Sequence, residues 1–252
     1  MRQSEIGPSQ KGRHRVNALE ITNVSLRLDQ RPVLEQVSLT IPAGSFFGLA
    51  GGNGAGKTTL LKCILDLGRP DQGAITIFGV PSTVDAARQG VAYLPERFLP
   101  PPYLTGEEFL SSLLRLHGAP VTRKGVEQTL IDLDMDPAAL RKPIRTLSKG
   151  MTQKLGLAGC LASGKPILLL DEPTSGLDPV ARSLLKNQLL RLREQGATVF
   201  INTHILSDVE RLCDAMAILH QGRLRFHGSP AACLDRFGGP SLEEAYLQAV
   251  AG

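Results

Sequence analysis

Ser45-Phe-Phe-Gly-Leu-Ala50 runs without a break into Gly51-Gly-Asn-Gly-Ala-Gly-Lys-Thr58. The first six residues read as a short apolar strand, and Lys57 to Leu67 carries apolar residues at helical spacing. A glycine-rich turn between strand and helix, spelled G-x-x-x-x-G-K-T, is a phosphate-binding loop. Its glycines let the backbone turn successive N–H groups inward as a nest for phosphate oxygens. The helix behind them points its positive end at the same anion. Lys57 can bridge β- and γ-phosphates, and the Thr58 hydroxyl can ligate Mg2+. Gly51, Gly52, Asn53, Gly54, Ala55, Gly56, Lys57, Thr58 and Thr59 therefore form the candidate triphosphate site. By itself the loop does not separate kinase, GTPase and ATPase.

Further along, Ile167-Leu-Leu-Leu-Asp171-Glu172 is an apolar strand that ends in two acids. Ligand-binding residues of open α/β sheets gather at such carboxyl ends. Asp171 is placed to hold Mg2+, and Glu172, one residue on, to polarise an attacking water as general base. Thr198-Val-Phe-Ile-Asn-Thr-His204 is another strand with a polar end, and His204 is a candidate contact for the γ-phosphate. His14, His117, His220 and His227 lack such a setting and read as structural or exposed.

The rest of the chain supplies a frame. Leu19 to Leu28 and Val33 to Ile41 alternate polar and apolar residues, as half-exposed antiparallel strands do. Ile75 to Phe78 and Val91 to Leu94 read as short strands. Pro100, Pro101 and Pro102 then break regular structure. Thr105-Gly-Glu-Glu108 has capping-box spacing, and one helix behind it and a second from Thr122 to Leu133 make residues 98–163 a helical insertion. A long helix at Pro179 to Glu194 separates the two later strands, which argues a mainly parallel sheet. Ala215–Leu219 and Arg223–Phe226 form a closing hairpin at Gln221-Gly222. A final helix runs from Ser241 to Val250.

Composition excludes little. The 252 residues are 42% hydrophobic and 21% charged, with a net charge of +4. That mild basic bias suits phosphates, an anionic membrane or nucleic acid. Arg2, Lys11, Arg13 and Arg15 make residues 1–16 a basic tail expected to be disordered. Cys63, Cys160, Cys213 and Cys233 lack metal-ligand spacing and follow no secretory signal, so reduced, buried thiols are expected. There is no apolar run of 18 residues or more, so the chain is not expected to span a membrane by itself.

The order of these motifs resembles the nucleotide-binding domain of ATP-binding-cassette (ABC) transporters, over about residues 18–230. Leu147-Ser148-Lys149-Gly150-Met151 is similar to the family signature LSGGQ, Ser175-Gly-Leu-Asp178 to its D-loop, His204 to its switch histidine and Tyr93-Leu-Pro-Glu96 to its Q-loop. The resemblance implies an α/β fold: a P-loop NTPase (RecA-like) core with an antiparallel β subdomain and an inserted α-helical subdomain. It divides the chain into a cassette at 17–230, with its helical subdomain at about 98–163, and a C-terminal helical extension at 231–252. It implies ATP and Mg2+ as ligands, with Thr58, Glu96 and Asp171 toward the metal and Lys57, Glu172 and His204 as catalytic residues. Ser148 and Gly150 would meet the γ-phosphate of ATP held by a second ABC subunit, in a homo- or heterodimer.

Several residues depart from the family pattern. Gly52 replaces Pro, Glu96 replaces Gln, and Lys149 and Met151 replace Gly and Gln. Leu28 stands where an adenine-stacking aromatic is common, so the contact that would favour ATP over GTP is missing there. The pattern is most similar to bacterial exporter-type cassettes, which implies a separate transmembrane permease and a peripheral position on the cytoplasmic face of the inner membrane. Phe98, Leu99 and Tyr103, in the proline-broken loop after Glu96, either meet that permease or pack on the helical insertion. The alternative is a soluble ABC ATPase acting on nucleic acid or ribosomes. With one cassette, no heptad run and no basic stripe interleaved with aromatics, no nucleic acid is expected.

Overall fold

The computed structural model describes residues 16–119 and 123–251. The basic tail up to residue 15, and Thr122 as a helix start, lie outside the described residues. Strands β1 (Asn17–Leu28) and β2 (Arg31–Pro42) pair antiparallel with Ile21 opposite Leu39 and Val24 opposite Val37. Asp29 and Gln30, at φ +48° and +65°, close this hairpin as a two-residue turn whose twist matches the strands. Next come β3 (Phe46–Ala50), α1 (Lys57–Ile64), β4 (Gln72–Ile77), β5 (Val80–Pro81), α2 (Asp85–Arg88) and β6 (Val91–Leu94). The helical insertion holds α3 (Gly106–Leu116), α4 (Arg123–Asp132), two 3-10 turns and α5 (Lys149–Ala162). The chain then alternates through β7 (Ile167–Asp171), α6 (Pro179–Glu194), β8 (Thr198–Thr203) and α7 (Leu206–Leu212). It closes with β9 (Ala215–His220), β10 (Arg223–Gly228), α8 (Pro230–Phe237) and α9 (Leu242–Ala251).

Two sheets result. One is antiparallel in the order β2-β1-β4-β5; the other runs β10-β9-β3-β8-β7-β6. In the second, β9, β3, β8, β7 and β6 are parallel and only β10 is antiparallel. This is the α/β core with an antiparallel subdomain that the sequence predicts. The parallel strands are buried on both faces, which is why they read as unbroken apolar runs. Phe47, Leu49, Leu169 and Phe200 face α1 and the antiparallel sheet. Their neighbours Phe46, Ala50, Leu168, Leu170, Val199 and Ile201 face the helices on the other side. The rings of Phe47 and Phe200 lie 5.4 Å apart between the sheets.

Local chemistry sets the ends of several elements. The Thr105 hydroxyl accepts from Glu108 N at 3.2 Å while Glu108 Oε2 accepts from Thr105 N at 2.8 Å, so the capping box forms in full. Helix α1 stops at Ile64 rather than at the expected Leu67. Asp66 sits at φ +56°, and Leu67 N donates to Lys62 O at 2.8 Å, the six-to-one bond of a Schellman motif. Glycine is the usual residue at that left-handed position, so an aspartate there gave no stop signal. Phe78, at φ +48°, likewise falls just beyond β4. The short helices α2 and α7 have no counterpart in the sequence reading; each is seven residues or fewer, too brief for a clear period, whereas α8 falls in the helical extension expected from 231.

The C-terminal helices pack against β9, β10 and α7, and α9 contributes Leu242, Ala245 and Ala249 to the core beneath the mixed sheet. All four cysteines are buried and unpaired, and burial pushes the thiols of Cys160 and Cys213 up to about 12 and that of Cys63 to about 11. Such thiols are inert packing groups. No helix among the described residues is long and apolar enough to cross a membrane.

Truncating Phe200 to alanine opens a cavity between the two sheets and should cost about 3–5 kcal/mol. Thr105→Ala removes only a helix cap and should cost about 1 kcal/mol. Urea unfolding of both variants checks the ranking; equal midpoints would mean that the inter-sheet layer is not the main core.

Candidate functional site

The loop from Gly51 to Thr58 leaves β3 at its carboxyl end and enters α1. Gly56, the residue before the helix, has φ +105°, and a Cβ there would stand 2.7 Å from Val33 O. Gly51 is equally confined, with Leu219 O 2.4 Å from where a Cβ would be. No side chain caps the N-terminus of α1, so its first N–H groups remain available to an anion. A cavity of about 600 Å3 opens in front of them. Asn53, Gly54, Ala55, Gly56, Lys57, Thr58 and Thr59 line it, facing Glu96, Glu172 and His204. Gly51 and Gly52 stand just behind, their carbonyls accepting from Lys57 Nζ at 2.8 and 3.1 Å.

Strand register sets the two acids: Glu172 lines the cavity, and Asp171 does not but stands buried behind Thr58 and Asn202, which do. Asp171 on β7 pairs with Asn202 on β8, and the Asn202 amide donates to its carboxylate. On the other side the Thr58 hydroxyl donates to Asp171 Oδ2 at 3.3 Å. Asp171 is fully buried, and burial raises its pKa despite those two hydrogen bonds, with Glu96 and Glu172 adding to the rise. Lys57 shifts downward, again chiefly by burial, while Glu172, Asp171 and Glu96 oppose the shift.

Glu172 adopts φ +48°, a left-handed conformation unusual for glutamate and of the kind that collects at functional sites. Its N–H donates to Asn202 O at 2.8 Å, which anchors the turn. Oε1 lies 2.9 Å from His204 Nδ1. An ionised carboxylate only accepts, so this contact assigns the proton to Nδ1. Oε2 is buried without a partner among the described residues, as is Asn202 Oδ1. Unmet acceptors at a cavity wall suit a ligand or water with hydrogens to donate.

Thr58, Asp171 and Glu96 make an all-oxygen donor set, which fits a hard divalent cation. The charge balance fits it too, because three carboxylates surround one lysine where a polyanion would have to enter. Among the described residues no group of three His, Cys, Asp or Glu could hold a metal.

Ser148 and Gly150 do not line the cavity. Ser148 caps the exposed start of α5, its hydroxyl accepting from Met151 N at 3.2 Å. Gly150 packs against Gly176, whose O would lie 2.9 Å from a Cβ at 150, and the Lys149 stem covers Gly176. Leu28 is 51% exposed and is not among the lining residues, whereas Val33 is. The structure adds Asn202 and Val33 to the site and brings Ser175, the first residue of the D-loop-like segment, to the cavity wall. Asn202 sits in the polar run Asn202-Thr203-His204 at the end of its strand, and only its register with Asp171 singles it out.

A family model described as ABC transporter matches residues 34–175. The chain belongs to the ABC transporter ATP-binding family. An ABC transporter ATP-binding protein of Nostoc sp. is 43% identical over 199 residues, 78% of this chain and 59% of that protein. The Nod factor export ATP-binding protein I of Sinorhizobium fredii is 37% identical over 235 residues, 91% of this chain and 68% of the relative. The chain thus spans 59% of the first relative's length and 68% of the second's. A solved ATP-binding subunit of an ABC transporter superposes with a TM-score of 0.84 at 32% identity, covering 92% of this chain and 99% of that one. The ABC fold and the family's ATP-binding character are therefore those of this chain.

The raised pKa of Asp171 means that its carboxylate is held at a cost at neutral pH. That cost falls as pH drops through the raised folded-state value. Asp171→Asn should therefore raise the thermal midpoint of the nucleotide-free protein, by roughly 2–4 °C for each kcal/mol relieved in a domain of this size. Calorimetry at pH 7 checks it, and a lowered midpoint would show that the Asn202 and Thr58 hydrogen bonds outweigh the burial.

Proposed function

We propose that this chain is the ATP-hydrolysing subunit of an ABC exporter, a dimer lying on the cytoplasmic face of the inner membrane beneath a separate transmembrane permease. The observation that carries the reading is the Glu172–His204 pair at the wall of a cavity that also presents Lys57. In this reading ATP fills the cavity, and Lys57 Nζ leaves the Gly51 and Gly52 carbonyls for β- and γ-phosphate oxygens. Glu172, held at Oε1 by His204, uses its unpartnered Oε2 to orient a water and take its proton. The water oxygen bonds to the γ-phosphorus as the bond to the β–γ bridging oxygen breaks, and ADP and phosphate leave. As an imidazolium, with Nδ1 donating to Glu172, His204 at the cavity mouth can donate from its second ring nitrogen to the γ-phosphate. Thr58 and Asp171, with Glu96 beside them, would hold Mg2+, which neutralises charge on the β- and γ-oxygens when bound.

The dimer follows from what the cavity lacks. Ser148 and the free N–H groups at the start of α5 form a second anion-binding end that does not line the chain's own cavity. In the proposed pair, each copy presents that end to the γ-phosphate held by the other. Export as the direction is supported by the likeness to Nod factor export ATP-binding protein I. We place the cassette at 17–230, with its helical subdomain at about 98–163 and a C-terminal helical segment from 231.

The permease surface is taken to be the loop after Glu96, in a narrower form than the sequence suggests. Phe98 packs inward, its ring 5.6 Å from that of Phe109, and lies half-buried against the core of the insertion. Leu99 and Tyr103 are 84% and 74% exposed and provide the apolar contact.

Glu172→Gln should lower ATP turnover by roughly 10²–10⁴ while leaving ATP binding nearly intact. Phosphate release and nucleotide titration check both halves; unchanged turnover removes Glu172 from the role of base. Tagged Glu172→Gln protein with Mg-ATP should also recover a polytopic membrane protein from gently solubilised membranes. Recovery of ribosomes or nucleic acid without it would favour the soluble ATPase. Leu99→Glu with Tyr103→Glu should abolish that recovery and spare ATP binding; lost ATP binding would mark the loop as structural.

A further inference from the structure

If ATP enters this cavity, its phosphates have many partners and its nucleoside end has few. The position expected to stack on the base holds Leu28, which does not line the cavity and is about half exposed. A second recess of about 580 Å3 adjoins the cavity and shares Val33 and Gly54 with it. The two are therefore neighbours on either side of Val33 and Gly54. The walls of the recess are the start of β2, with Pro32 and Val33, and the β9–β10 turn and strand, with His220, Gln221, Arg223 and Arg225.

The two arginines differ. Arg223 donates to Glu35 Oε2 at 2.6 Å, so its charge is met within the protein. Arg225 has no carboxylate partner among the described residues, and its Nε is buried with no acceptor. A guanidinium lining the recess without an ion-pair partner has N–H donors to spare for a ring nitrogen or a ribose oxygen. A guanidinium is also planar and stacks on π-systems, which an ammonium does not do in the same way. Pro32 and Val33 supply an apolar wall, and the Gln221 amide offers both a donor and an acceptor.

We propose that this recess takes the base and ribose of the nucleotide, with the Arg225 guanidinium lying against the base in place of an aromatic ring. The proposal rests on reading the neighbouring cavity as the triphosphate site. It makes Arg225 a binding residue that acts on the nucleoside alone.

The test compares ATP with inorganic triphosphate, which has the phosphates and no nucleoside. Titration calorimetry with Mg2+ measures both on the wild-type chain, Arg225→Ala and Arg225→Lys, with urea midpoints to confirm folding. Wild type should bind ATP more tightly than triphosphate. Arg225→Ala should weaken ATP on the order of tenfold, the scale of one lost cation–π contact with its hydrogen bond, and leave triphosphate unchanged. Arg225→Lys should stay weak, because it keeps the charge and loses the plane. Unchanged ATP affinity in Arg225→Ala would overturn the proposal. So would an equal loss for triphosphate, which would put Arg225 on the phosphates, or full rescue by lysine. A wild-type chain that binds neither ligand would instead remove the triphosphate reading on which the proposal stands.

Discussion

Asp171 stands opposite Asn202 in the parallel pairing of β7 with β8, and the arrangement of the candidate site depends on that register. Sliding one strand by a single residue would turn every side chain to the other face of the sheet. The register is locked by packing on both sides. Leu168 and Leu170 enter one core and Ile167 and Leu169 the other, so a slip would exchange two complete hydrophobic layers. Because apolar burial holds the strands, their last residues need not contribute to it. Asp171, Glu172, Asn202, Thr203 and His204 follow from there, polar groups mounted at the end of an apolar frame.

The frame tolerates costs at that end. Asp171 is buried with its pKa raised, Lys57 is buried with its pKa lowered, and Glu172 holds a left-handed backbone. Two buried side-chain oxygens, on Glu172 and Asn202, have no partner among the described residues. None of these helps the chain fold, and each makes sense for a site that is completed by a charged ligand. Lys57 illustrates this. Its bonds to the Gly51 and Gly52 carbonyls satisfy it, yet both come from its own loop and can be exchanged for phosphate oxygens without disturbing the core.

Much of this was legible in the sequence where a residue has only one physical reading. The run from Ser45 to Thr58 can hardly be anything but strand, nest and helix, and the pairing of Thr105 with Glu108 has one geometry. The start of Pro179–Glu194 was readable because proline at the first helical position follows a capping aspartate, Asp178. Legibility failed where the deciding fact is a backbone angle or a distant neighbour. Asp66 ends α1 by adopting a conformation that aspartate rarely takes. Phe98 turns inward against the core only because Phe109 and the bare backbone of Gly156 make room for it. Asn202 matters through its register with Asp171, and Arg225 through the recess it shares with Val33. A linear reading carries neither relation.

The loop that follows Glu172 ties these parts together. Ser175 lines the cavity, and Gly176, the next residue, packs on Lys149 and Gly150 at the start of α5. The approach is close enough that a side chain at 150 would collide with the Gly176 carbonyl. A shift at the cavity wall therefore has a short steric route to the helix start that Ser148 caps. In the proposed dimer that helix start serves the ATP of the other copy. One chain's cavity and its partner's are then joined by a contact a few residues long, in which glycine is required at 150 for packing and at 176 for its φ of +76°. Lys149, in place of the first glycine of the family's LSGGQ, adds its stem to the same contact, which would otherwise be made by backbone alone.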